Sequence, residues 1–159
     1  MNLYKLSTTH LRDRDTCVSW LRSQGLLPPI VEKKCYQCKR DMIYEDDHGF
    51  GRYRCQYNHS GRGPIYISVA RDTWFANVKS GPIKSILLVY AFTSQMTYEQ
   101  AIKETSLDSV TSSATIADWY NYGREVCMYA MDRRYDNEGQ IGGVGRIVEI
   151  DESKIGKRK

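Results

Sequence analysis

Two short pairs, Cys35-Tyr-Gln-Cys38 and Cys55-Gln-Tyr-Asn-His59, constrain this chain more than any other feature. Each pair offers two soft or borderline ligands from one tight turn, and together they meet the tetrahedral demand of a zinc ion. The residues around the second pair suit such a site. Tyr53 and Cys55 alternate with Arg52 and Arg54, and Ile65, Ile67 and Val69 alternate with Tyr66, Ser68 and Ala70, so both stretches predict period-2 strands. Gly49, Gly51, Gly61, Gly63 and Pro64 mark turns between them. The expectation is a small ribbon over residues 31–78 with Cys35, Cys38, Cys55 and His59 as ligands; His48, in the intervening loop, competes for the fourth place. With every position filled by protein, such a zinc is structural, and it folds a segment too small to bury its own core. The alternative is a set of scattered buried cysteines with a surface histidine.

Other uses of the cysteines fit less well. The chain has 5 of them, an odd and unevenly spaced set, which argues against a disulfide framework. Cys17 and Cys127 fall on apolar helical stripes and read as small core residues. No apolar run approaches the roughly 18 residues that cross a bilayer, and the first ten residues carry no long apolar core of a secretory signal. The net charge of +4 is compatible with a polyanionic partner and does not demand one.

Helices are expected on both sides of the ribbon. Residues 13–27 predict a short amphipathic helix within a 13–30 segment, closed by Gly25 and Pro28-Pro29. Pro82 opens a second helix, residues 98–104 form a third, and residues 114–131 a fourth and longer one. On the last, Ile116, Trp119, Tyr120, Gly123, Val126, Cys127 and Ala130 make one stripe, with Thr115, Asp118, Asn121 and Tyr122 opposite. Thr111 and Ser112 are candidate N-caps. A short helix, a turn and a longer helix with a polar start is the helix-turn-helix layout, here over 79–134, in which the second helix enters the major groove. Ser112, Ser113, Thr115, Asp118 and Tyr122 are then the candidate DNA-facing residues. Lys79, Lys84, Lys103, Arg52, Arg54 and Arg62 are candidate phosphate contacts. A plain packing pair of helices is the alternative. A polar, Gly-rich linker from Asp132 to Gly145 and a strand over 146–150 complete the chain.

In order, the ribbon, Thr73-Trp-Phe75, the helical segment, Thr115-Ile-Ala-Asp-Trp-Tyr-Asn-Tyr-Gly-Arg-Glu-Val-Cys127 and the block Gly142-Gly-Val-Gly-Arg-Ile-Val-Glu-Ile-Asp151-Glu-Ser-Lys-Ile-Gly-Lys-Arg-Lys159 resemble Merlin-type DNA transposases and related bacterial insertion-sequence transposases. The resemblance implies an α+β chain: a zinc ribbon and helix-turn-helix that bind double-stranded DNA at transposon terminal repeats, then the first strand of a ribonuclease-H-like domain over 135–159. That domain would use a DDE acidic set with paired Mg²⁺ or Mn²⁺ ions for in-line strand cleavage and transfer. Asp151 matches its first acid. The family generally acts as multimers, so homo-oligomers are implied as well, with no membrane role. A nuclear location follows if the source is eukaryotic, intracellular in any case; Lys157-Arg158-Lys159 would suit nuclear import or phosphate contact, the alternative being a simply solvated basic end.

Two departures from the family matter. Many relatives carry cysteine where this chain has His59. The sequence also stops shortly after Asp151, without the later carboxylates or strands, so the expectation is a DNA-binding, truncated product without catalysis; Mg²⁺ or Mn²⁺ is expected only for a full-length relative. The alternatives are part of an active transposase, and a domesticated zinc-ribbon module that binds protein.

Overall fold

The computed structural model describes residues 2–59, 61, 63–138, 144, 145 and 147. Asp151 and most of the strand expected over 146–150 lie outside the described residues, as does Arg62. The chain is α+β, with α1 (Leu3–Thr9), α2 (Arg14–Ser23), β1 (Ile43–Glu45), β2 (Arg52–Arg54), β3 (Tyr66–Ser68), α3 (Pro82–Thr93), α4 (Tyr98–Thr105) and α5 (Ser113–Glu138). It divides into two compact units, Met1–Trp119 and Tyr120–Lys159. No described helix is long and apolar enough to cross a membrane.

Each helix start has a local cause. Asp13 accepts the Thr16 backbone N–H at 2.8 Å and the Thr16 hydroxyl at 2.9 Å, which caps α2. These bonds, and the neighbouring Arg12 guanidinium, hold the Asp13 carboxyl down at about 2. Gly25, at φ 71°, then turns the chain away from the end of α2. Pro82 occupies the first turn of α3, where its missing N–H costs nothing. Thr97 and Gln100 form a reciprocal capping box on α4. Asn2 caps α1 by accepting the Lys5 N–H. That helix was not expected, because its Ser-Thr-Thr end lacks a strong apolar period.

The sheet is antiparallel in the order β1-β2-β3. Tyr44 pairs with Tyr53, which pairs with Ile67, and Glu45 pairs with Arg52, which pairs with Ser68. Side chains alternate across a strand, so Tyr53 and Ile67 turn to the buried face while Glu45, Arg52, Arg54 and Tyr66 share the outer one. Tyr53, Ile67, Met42, Val69, Cys35 and Cys55 form that buried face's core.

A second core gathers Leu6, Leu11, Cys17, Val18, Leu21, Leu27, Ala70, Phe75, Ile86 and Leu87 from the helices and the segment after β3. Phe50, from the β1–β2 loop, enters this core and lies 4.9 Å from Phe75, ring to ring. The loop is fastened by α2. Arg22 donates to the Tyr44 hydroxyl at 2.6 Å, that hydroxyl donates to Asp46 at 2.6 Å, and Arg14 donates to the Gly49 carbonyl at 2.8 Å. Gly51 is required here: its φ is +92°, and a Cβ would stand 2.6 Å from the Tyr44 hydroxyl oxygen.

Two expectations for the last helix need correction. Ile116, Trp119 and Tyr120 are buried, yet Val126, Cys127 and Ala130 are exposed, so Cys127 is not a core residue. A stripe records which residues share a side; it does not say how many turns are covered. The linker expected from Asp132 also begins as helix, since α5 runs to Glu138. Residues 132–138 contain no Gly or Pro, and their polarity is compatible with a solvated helix.

Candidate metal centre

Two hairpin ends bring the four candidate ligands together. In the first, Lys34 and Asp41 bridge, the Cys35 N–H donates to the Arg40 carbonyl at 2.8 Å, and the Lys39 N–H donates to the Cys35 carbonyl at 2.9 Å. Lys39 adopts φ 62° to close this turn. In the second, the hairpin of β2 and β3 continues through a bond from the Cys55 N–H to the Ile65 carbonyl at 2.8 Å. Cys38 and His59 each follow at the far side of their turn.

The ligand atoms of Cys35, Cys38, Cys55 and His59 all lie within 4.8 Å of one another. His59 Nε2 stands 3.5 Å from Cys35 Sγ and 3.2 Å from Cys55 Sγ, and Cys38 Sγ lies 3.6 Å from Cys55 Sγ. A tetrahedral zinc with its usual bond lengths sets S···S edges of about 3.8 Å and S···N edges of about 3.5 Å. The observed separations match that figure within a few tenths of an ångström. Cys35, Cys55 and His59 are buried and Cys38 half-buried, so the set is enclosed by its own protein.

The thiols are prepared unequally. The Cys38 backbone N–H, joined by that of Gln37, holds the Cys35 thiol below its ordinary value against the effect of burial. Burial pushes the Cys55 thiol up, which the Tyr57 backbone N–H only partly offsets. A bound divalent cation would supply the charge that keeps both as thiolates. Cys17, away from the cluster, is simply buried, and its thiol rises to about 11.

His48 does not join this group. It is exposed, lies 3.3 Å from Asp47, and stands near Glu45 and Asp47 instead. The choice between His59 and His48 was open in the sequence; the hairpin of β2 and β3 settles the geometry in favour of His59. Glu45 is itself occupied by Arg52, at 2.8 Å, and by Arg54.

The candidate DNA-facing residues have their own local order. Ser112 caps α5 by accepting the Thr115 N–H at 3.1 Å, and the two hydroxyls lie 3.0 Å apart. Thr111 is buried instead, donating to the Thr105 carbonyl at 3.0 Å and accepting the Thr105 hydroxyl. The Thr111 N–H donates to Ser106 Oγ at 2.9 Å. This network fixes a connection over 106–112 that is longer than a tight turn. Ser112, Ser113 and Asp118 are exposed and Thr115 half-buried in the first unit; Tyr122, in the second, is exposed. Among the candidate phosphate contacts, Arg52 and Arg54 are committed to Glu45, whereas Lys79 and Lys84 line a cavity of about 360 Å³ with Arg14 at the start of α3. The exposed basic side chains of the first hairpin were not anticipated from the sequence as part of any site, because their ordering depends on that turn. No protein-family model, curated protein or solved structure matches this chain.

Proposed function

We propose that this protein is a zinc-ordered DNA-binding module of transposase descent. The observation that carries the metal part is the gathering of the Cys35, Cys38, Cys55 and His59 ligand atoms within 4.8 Å of one another at the ends of two hairpins, which we read as a zinc ribbon. Zinc has a structural role there, since four protein ligands leave no position for water or substrate.

The DNA part rests on the polar, exposed start of α5. Ser113 and Asp118 are free of the core, and Thr115 and Ser112 are ordered by the cap. Side chains fixed in this way at the start of a helix suit entry into a major groove. The resemblance to Merlin-type transposases supplies the nature of the target, terminal-repeat duplex DNA, and the helix-turn-helix reading of α4 and α5.

Titration of the zinc-loaded chain with labelled duplex at increasing ionic strength tests the proposal. Binding is expected at low salt and falls steeply as salt rises, because phosphate contacts release counterions. Tyr122→Ala and Thr115→Ala are expected to weaken that binding severalfold while leaving the thermal midpoint nearly unchanged. Absence of duplex binding at low salt would overturn the DNA reading and favour a protein-binding module. Metal analysis that finds no zinc in the purified chain would overturn the metal reading.

A further inference from the structure

Around the metal cluster lies a set of side chains that ligation does not explain. Two exposed tyrosines each carry an arginine guanidinium on the ring. Arg40 stands 4.0 Å from the Tyr57 ring centroid, and Arg52 stands 4.2 Å from that of Tyr66. Tyr57 sits inside the second ligand turn, between Cys55 and His59, while the Arg40 backbone carbonyl closes the first turn by accepting the Cys35 N–H. The Arg40–Tyr57 pair therefore joins the two turns. Tyr66 opens β3, in register with Arg54.

The rings remain accessible despite these cations: Tyr57 is 43% exposed and Tyr66 48%. Tyr36, within the first ligand pair, is 63% exposed and adds a third ring. None of the three belongs to the sheet's core, which Met42, Tyr53, Ile67 and Val69 fill. Lys33, Lys34, Lys39 and Arg40 crowd the first turn, against Glu32 and Asp41. Asp41 pairs with Lys34, and Arg40 forms no ion pair among the described residues.

A ring held on one face by a guanidinium keeps its other face for stacking; Arg52 is held by Glu45, so of the two guanidiniums it is Arg40 that can meet a phosphate. Nucleobases offer matching flat faces only when they are not already stacked in a duplex. We propose that the metal-bearing sheet binds single-stranded nucleic acid, with unpaired bases stacking on Tyr57, Tyr66 and Tyr36 and the backbone held by Arg40 and the lysines of the first turn. This activity rests on the metal reading of the cluster and is independent of duplex recognition by α5.

The experiment uses the full zinc-loaded chain and follows the anisotropy of fluorescein-labelled oligothymidylate and oligouridylate, with unlabelled duplex and inorganic polyphosphate as competitors. Tyr57→Ala and Tyr66→Ala are each expected to weaken binding about tenfold. Tyr57→Phe and Tyr66→Phe should retain it, since stacking needs the ring and not the hydroxyl. Zinc content, measured on every variant, should be unchanged. A preference for one oligonucleotide assigns the strand as DNA or RNA, and either result supports the proposal. It is overturned by alanine variants that bind both oligonucleotides as tightly as the parent. Competition by duplex or polyphosphate as effective as that by unlabelled oligothymidylate also overturns it, since both would mean attraction to charge alone. A separate duplex titration of the same variants reads the α5 proposal, so failure of one is distinguishable from failure of the other.

Discussion

Around the metal cluster the buried set is Cys35, Met42, Tyr53, Cys55, Ile67 and Val69, two of which are ligand candidates. The helical core instead combines Leu6, Leu11, Val18, Leu21, Leu27, Phe50, Phe75, Ile86 and Leu87, drawn from distant parts of the chain. Strands of three residues each, joined over turns, bury too little apolar surface to stand by themselves. The helical part has no such shortage. On the proposed zinc reading, one region relies on ligation and the other on apolar burial, and the Phe50 loop with the Arg22–Tyr44–Asp46 bonds connects them. The difference teaches that a perturbation can be aimed at one region and its transmission read in the other.

The largest effect is expected from removing the metal. Structural zinc sites contribute on the order of 10 kcal/mol to folding. Chelation, or Cys35→Ser, should abolish hydrogen-exchange protection at Tyr53 and Ile67 while the amides of α2 and α3 keep theirs. Sheet amides that stay protected in chelator would show that the strands need no ligation, and the contrast would disappear.

A core truncation should act in the opposite sense. Leu21 is fully buried in the helical core, and Leu21→Ala should cost about 3 kcal/mol. Thermal unfolding should shift accordingly, while the zinc content of the folded protein stays at the parental level. Loss of metal in this variant at temperatures where it remains helical would sharpen the comparison into a single cooperative unit.

The smallest effect concerns acid. The Thr16 bonds and Arg12 hold the Asp13 carboxyl at about 2, below the ordinary value of about 3.9. A depressed folded value means that the stabilisation is present above the ordinary range and is lost as pH falls through about 2. Asp13→Asn keeps a capping oxygen without the charge, so it should flatten this pH dependence of α2. Identical acid profiles for parent and variant would remove the ionised cap from the account. Acid also competes with metal for thiolates and imidazole, so the comparison is best made on α2 amides alone.

Much of this was legible in the sequence because the causes are local. Gly25 with Pro28-Pro29 closes the first expected helix, Pro82 starts α3, and the alternation around Tyr53 and Ile67 gives two strands. Cys35, Cys38 and Cys55 announce a ligand cluster by spacing alone. The brief strand β1 and the helix α1 were missed, since three or seven residues with mixed polarity leave no clear period. Cys127 was misplaced in a core because periodicity cannot count covered turns.

What the sequence by itself determined is therefore the set of local devices: turns, alternating strands and three cysteines spaced as candidate ligands. Tertiary structure decided which histidine joins the cysteines, because only the pairing of β2 with β3 brings His59 to Cys35 and leaves His48 beside Asp47. It also decided that Arg52 and Arg54 answer Glu45, and that Arg40 lies over Tyr57. The physical reason is the same in each case. Ligation, ion pairing and ring contacts depend on distances of a few ångströms between residues far apart in the chain, and register, not spacing, sets those distances.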